Sequence, residues 1–169
     1  MIKRLLEPSW EPDLTIHEIP LGILIEKEIQ ALILDVDGTI INGNKVTVHN
    51  PVKEWIDKAS KHFYIHLFSN NPSASRISTV ANLLKLNYTY KAGKPSRKKL
   101  KKVITKIGKS HNKIAIIGDR IFTDVLAGNR LGLYTILIRP IGKDGGQSKS
   151  RNMQKLEKAI SRLFGAELK

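Results

Sequence analysis

Ala31-Leu32-Ile33-Leu34-Asp35-Val36-Asp37-Gly38-Thr39 runs four apolar residues straight into two carboxylates and a glycine. An unbroken apolar run of this length reads as a strand buried on both faces, as in a parallel sheet. Asp35 and Asp37 then lie just past its carboxyl end. Gly38 lets the chain turn so that both carboxylates reach one crevice.

The same pattern recurs along the chain. Phe63 to Phe68 reads as a second strand and ends in Ser69-Asn70-Asn71. Tyr88 to Tyr90 reads as a short third, followed by Ala92-Gly93-Lys94-Pro95. Ile114 to Ile117 is a fourth, running into Gly118-Asp119-Arg120-Ile121-Phe122-Thr123-Asp124, and Tyr134 to Ile138 is a fifth. Helices fall between them. Asn50 and Pro51 open one as cap and first position, with Val52, Trp55, Ile56 and Ala59 on one face. Ser73 caps a helix carrying Ile77, Val80, Ala81 and Leu84; Ser96 caps another carrying Leu100, Val103, Ile104 and Ile107. Asp124 to Leu131 reads as helical and stops at Gly132. Met153, Leu156, Ile160, Leu163 and Phe164 line one face of a final helix over 152–164, closed by Gly165.

Strands alternating with helices predict an α/β fold: one Rossmann-like domain over 1–169, with a mostly parallel five-stranded sheet and helices on both faces. Residues 31–138 form its motif-bearing core, and residues 1–20, with Pro8, Trp10, Pro12 and Pro20 in irregular order, read as an arm packed on that core. Ligands should gather at the carboxyl ends of the strands.

One sheet edge would thus collect Asp35, Asp37, Asp119, Asp124, Ser69, Asn70 and Lys94. That set suits phosphoryl transfer. A hard dication such as Mg²⁺ takes oxygen ligands, and it offsets the repulsion between a carboxylate nucleophile and an anionic phosphate. A carboxylate can attack phosphorus to give an acyl phosphate, while a second carboxyl protonates the leaving oxygen and later deprotonates water. Ser69, nearby backbone N–H groups and Lys94 can hold the phosphoryl oxygens. Blander readings exist for each residue. Ser69 also reads as a strand-end cap, Lys94 as a solvated cation, and Asp124 as a first-turn carboxylate favoured by the helix dipole. His66, in mid-strand, reads as packed in the body.

The order Asp-x-Asp-x-Thr, Ser, Lys-Pro, Gly-Asp-x-x-x-x-Asp resembles the four motifs of the haloacid dehalogenase (HAD) superfamily. The resemblance implies Asp35 as nucleophile and Asp37 as general acid/base. It implies Ser69, Asn70 and Lys94 as the phosphate-binding groups. Asp35, Asp119 and the backbone carbonyl of Asp37 would be Mg²⁺ ligands, with Thr39 and Asp124 supporting them from behind. Leu67-Phe68-Ser69-Asn70-Asn71, Ala92-Gly93-Lys94-Pro95 and Gly118 to Arg130 resemble the YqeG-like branch, subclass IIIA. That branch is related to phosphatidylglycerophosphate phosphatases, so the resemblance implies a lipid-linked phosphate monoester. Asp37-Gly38-Thr39 departs from the many relatives that carry Asn before the Thr.

Spacing and charge bear on the substrate. Thirty-one residues separate Asp37 from Ser69 and twenty-four separate Ser69 from Lys94. Neither gap holds a folded cap of about 50 residues, so the site is expected to be open and its substrate bulky. The 169 residues carry 29 Lys and Arg against 15 Asp and Glu, a net +14. Ten basic residues and no acidic one lie between Lys91 and Lys113. Such a run suits an anionic membrane surface or nucleic acid, and it is also how a solvated helix face reads. Without cysteine there are no disulfides or thiolate metal sites. The N-terminal stretch lacks the apolar core of a signal peptide, and no apolar run approaches the roughly 20 residues of a spanning helix. The expectation is a cytoplasmic protein, soluble or peripheral at a membrane. Its rivals are a phosphatase of nucleic-acid ends, nucleotides or phosphoproteins, and a basic nucleic-acid or ribosome-associated binder on the same scaffold.

Overall fold

The five expected strands form one sheet. A computed structural model describes residues 2–43, 46–148 and 152–168. In it β1 (Ala31–Leu34), β2 (Tyr64–Phe68), β3 (Asn87–Thr89), β4 (Ile114–Gly118) and β5 (Tyr134–Leu137) pair in parallel in the order β3-β2-β1-β4-β5. The chain runs outward from β1 to one edge, then crosses back to β4 and runs to the other. The β1/β4 junction is therefore the switch point, where open α/β sheets hold their ligands. Register makes this concrete: Leu34 lies beside Leu67 of β2 and Ile117 of β4, so the three strands end within one residue of one another.

Both faces of the sheet are covered. Leu32 and Leu34 point into a core with Ile65, Leu67, Ala115 and Ile117, covered by α2 (Leu21–Glu26), α3 (Asn50–Ala59) and α4 (Ala74–Leu84). Ala31 and Ile33 point the other way, toward Leu100, Val103 and Ile104 of α5 (Arg97–Ile107) and Ala127 of α6 (Leu126–Asn129). Alternation along a strand and burial on both faces together explain the unbroken apolar run. Among the described residues no folded insert stands over the strand ends, and no helix is long and apolar enough to cross a membrane.

Several local expectations shift. The cap of α3 is His49, so Pro51 is the second helical residue, still within the turn that tolerates a missing N–H. Asp124 sits in a π-helical turn, Ile121–Val125, that leads into α6 instead of opening an α-helix. Of the expected apolar line, Met153, Leu156 and Leu163 of α7 (Asn152–Leu163) and Phe164 just past its end face away from the body and Ile160 is half-buried, while Gln154, Glu157 and Ser161 turn inward. His66 is buried in β2 with Nε2 2.9 Å from Thr89 Oγ1, and burial followed by Lys106 pushes its pKa down to about 4.

The N-terminal residues, including α1 (Ile2–Leu6), lie against the β5 side. Trp10 donates its N–H to Thr135 (3.0 Å) and accepts from Leu137 (3.0 Å), closing the outer edge of β5. Trp55 of α3 is buried and donates its indole N–H to the Ile19 carbonyl at 2.8 Å, tying the end of this segment to the core. Trp55→Phe keeps most of the apolar contact but leaves that carbonyl unpaired. We expect it to lower stability by about 1–3 kcal/mol in denaturant melts; an unchanged midpoint would show that the bond contributes nothing.

Candidate active site

Asp35 and Asp119 arrive at the site because β1 and β4 end side by side. The Asp35 N–H continues the ladder onto the Ile117 carbonyl at 3.0 Å, and Asp119 follows Gly118, the last residue of β4. Two glycines make room for the carboxylates. Gly38, at φ +86°, lies so close to Asp119 that a Cβ there would sit 2.6 Å from Oδ2. A Cβ on Gly118 would sit 2.3 Å from the Asp124 carboxyl group. Any side chain at either position displaces a carboxylate.

Lys94 joins the group from the opposite side. Its Nζ lies 2.6 Å from Asp35 Oδ1 and 2.6 Å from Asp124 Oδ1, and only 6% of the residue is exposed. Asn70 fixes the lysine by its backbone: Oδ1 accepts from Lys94 N at 2.7 Å and Nδ2 donates to Lys94 O at 3.0 Å. The Asn70 amide is thus committed to Lys94. Thr39, buried behind, donates to Asp35 Oδ2 at a long 3.5 Å. Asp124 also accepts the Arg120 N–H at 3.2 Å, which closes the π-helical turn upon it.

Asp37 stands apart from this group. Arg76 holds its Oδ1 through Nη2 at 2.8 Å and Nε at 3.2 Å, while Oδ2 accepts from Asn71 Nδ2 (3.1 Å) and Ser69 Oγ (3.4 Å). Its side chain is 37% exposed, against 10% for Asp35 and 2% for Asp124. The expected residues therefore divide into a buried set around Lys94 (Asp35, Asp119, Asp124) and a second set in which buried Ser69 meets the more exposed Asp37. Asn70 links Lys94 to the latter.

Charge is out of balance in the buried set. Asp35, Asp119 and Asp124 place carboxylate oxygens within 4.8 Å of one another, with Lys94 as the ammonium among them. Burial raises the Asp35 pKa to about 7, Lys94 opposing and Asp124 adding. Burial, then Asp35 and Asp124, raise Asp119 well above the usual carboxylate range. Burial works against the Lys94 charge, but Asp124 and Asp35 outweigh it and hold the ammonium protonated. Asp119 Oδ1 is buried without a hydrogen-bond partner among the described residues. Three carboxylates, one ammonium and an unpaired oxygen fit a hard dication, which would supply the missing positive charge and an acceptor for that oxygen.

Two further residues hold the Asp119 turn from outside. Gln154 of α7 donates to the carbonyls of Asp119 and Ile138, each at 2.8 Å. Buried Glu157 accepts from Arg120 Nε at 2.7 Å and Ile121 N at 2.8 Å. Sequence reasoning missed both, and also Arg76 and Asn71 in these roles. Gln154 and Glu157 did carry a signal, being polar at a three-residue spacing on one helix face. The Arg76–Asp37 pair spans 39 positions and carried none.

Burial of the set, and repulsion within it, have a consequence for the metal-free protein. A carboxyl whose folded pKa is raised contributes stability below its unfolded pKa, near 4, and loses it as pH rises through the folded value. Metal-free wild type should therefore lose stability relative to Asp119→Asn as pH is raised from about 4 into the neutral range, where the variant becomes the more stable of the two. Mg²⁺ should reverse the order at pH 7. A wild-type-minus-variant difference that stays flat across this range, read from denaturant midpoints, would contradict the charge imbalance.

Comparison with known proteins shows the family of the chain. Residues 3–142 match the family described as mitochondrial PGP phosphatase. A probable phosphatase, YqeG, of Bacillus subtilis is 28% identical over 141 residues, covering 83% of this chain and 81% of that protein. A phosphatidylglycerophosphate phosphatase of Arabidopsis thaliana is 23% identical over 150 residues, covering 82% of this chain and 42% of that longer protein. The cobalt-bound deoxy-D-mannose-octulosonate 8-phosphate phosphatase of Haemophilus influenzae shares the fold, with a TM-score of 0.54 at 15% identity over 80% of this chain and 91% of that one. The chain belongs to the mitochondrial PGP phosphatase family and is a HAD-type phosphatase of the YqeG-like branch.

Proposed function

We propose that the protein hydrolyses a phosphate monoester through an aspartyl-phosphate on Asp35, with Mg²⁺ bound at Asp35 and Asp119 and at the Asp37 carbonyl. The observation that carries this reading is the buried Asp35–Asp119–Asp124 set around Lys94, with its unpaired Asp119 oxygen. Bound Mg²⁺ supplies positive charge against the phosphoryl oxygens and keeps the nucleophile ionised. An Asp35 oxygen attacks phosphorus as the ester P–O bond breaks, and Asp37 gives its proton to the leaving oxygen. Asp37 then takes a proton from water, whose oxygen attacks phosphorus, and the Asp35–phosphorus bond breaks to release inorganic phosphate. Lys94 and Ser69 bind phosphoryl oxygens, while Asn70 contributes mainly by holding Lys94. Asp124 holds Lys94 from behind. For Asp37 to donate, it must exchange part of its Arg76 contact for the leaving oxygen.

The substrate we propose is phosphatidylglycerophosphate, cleaved to phosphatidylglycerol at an anionic membrane surface. The name of the family, the name of the Arabidopsis relative and the uncapped strand ends support this. So does α5, which buries Leu100, Val103 and Ile104 and turns its lysines to solvent one turn beyond Lys94. A nucleic-acid end would meet the same lysines and is the second reading.

Two measurements decide between these readings. Phosphate release from an aryl phosphate should require Mg²⁺, disappear in Asp35→Asn and fall about a hundred- to ten-thousandfold in Asp37→Asn. Full turnover by Asp35→Asn would end the mechanism. Phosphatidylglycerophosphate in mixed micelles should be consumed faster than a 5′-phosphorylated oligonucleotide; the opposite order would transfer the assignment to nucleic acid.

A further inference from the structure

The amphipathicity of α7 is turned inside out. Met153, Leu156, Leu163 and Phe164 are each more than half exposed, Leu163 at 85%, whereas Gln154, Glu157 and Ser161 are buried. An ordinary surface helix buries its apolar line. The reversal has a local cause: α7 packs on a turn with free backbone groups, and Gln154 and Glu157 satisfy the Asp119 and Ile138 carbonyls and the Ile121 N–H. That need fixes the rotation of the helix and leaves its apolar side uncovered by any described residue.

We propose that this exposed side of α7 is a docking surface for an anionic lipid bilayer. The charge around it selects the occupant. Lys155 and Arg162 are exposed beside the apolar line, and Glu157, the helix's own acid, lies buried beneath it. Lys158 is paired with Glu11. On the helix itself the apolar side chains are flanked by cations and the acid is buried, which matches an interfacial helix lying in the headgroup layer. Two copies joined through this face would set like charges against each other, on chains that each carry +14. A bilayer offers instead an apolar layer beneath a negative surface.

The position of the surface gives it a use. Met153 begins the apolar line next to Gln154, whose amide holds the Asp119 carbonyl. Docking through α7 therefore brings the turn that carries Asp119 to the headgroup layer, where a lipid-borne phosphate would be presented. What docking serves rests on the lipid-phosphate reading above; the docking itself does not.

The test uses vesicles without substrate. Wild type should cosediment with phosphatidylcholine–phosphatidylserine vesicles and only weakly with pure phosphatidylcholine. A Leu156→Ser/Leu163→Ser/Phe164→Ser variant should lose about tenfold or more in partitioning to the mixed vesicles. It should match wild type in aryl phosphate turnover and in melting temperature. Leu163→Ser alone, at the most exposed of these positions, should weaken partitioning several-fold and guards against misfolding of the triple variant. The proposal is overturned if wild type ignores mixed vesicles, or if the variants bind them as well as wild type does, which would assign binding to the α5 lysines. It is equally overturned if wild type is a dimer in solution that the triple variant dissolves. Because no substrate is present, each of these results leaves the Asp35 chemistry to be judged by its own assay.

Discussion

Three carboxylates around one buried ammonium are the constraint on which the site depends. Lys94 Nζ touches Asp35 and Asp124 at the same distance, 2.6 Å, and Asp119 completes the set with an oxygen that no described group meets. Burying like charges costs stability unless they are paired or coordinate a cation. The fold maintains this arrangement at several levels. Parallel register sets the ends of β1 and β4 side by side, glycines at 38 and 118 leave space where a Cβ would collide, and Asn70 holds the lysine's backbone from both sides. Stability given up at the switch point in this way is usual where a site is preorganised for an anionic reaction.

Much of this was legible in the sequence, for identifiable reasons. β1 and β4 are unbroken apolar runs, β2 and β5 nearly so, and each strand is followed by small or polar residues, so the five-stranded parallel sheet and the placement of Asp35, Ser69, Lys94 and Asp119 at one edge could be read from pattern. Side-chain pairing was not legible. That Asp37 points to Arg76 and away from Asp35, or that Asn70 turns its amide to Lys94, depends on rotamers fixed by partners far along the chain. Periodicity also shows that α7 has two faces without showing which one turns inward. The backbone groups of the Asp119 turn decide that, and they exist only in the folded chain.

The two parts of the site suit two tasks. The buried set is short of positive charge, as suits a group that attracts a cation and confronts phosphorus. Asp37 is the more exposed carboxylate, in contact with Arg76, Asn71 and buried Ser69, as suits a group that exchanges partners while a substrate enters and leaves. With no folded insert above the strand ends among the described residues, exclusion of water falls to whatever presents the phosphate. That is the physical link between an open site, a basic α5 and an outward-facing α7.

Anomalous diffraction from a crystal soaked in Mn²⁺ tests the central claim most directly. A single strong peak between the Asp35 and Asp119 carboxylates, with Lys94 still against Asp124, is the result this account predicts. Manganese bound elsewhere, with Asp35, Asp119 and Asp124 unaltered and metal-free at saturating ion, would contradict it.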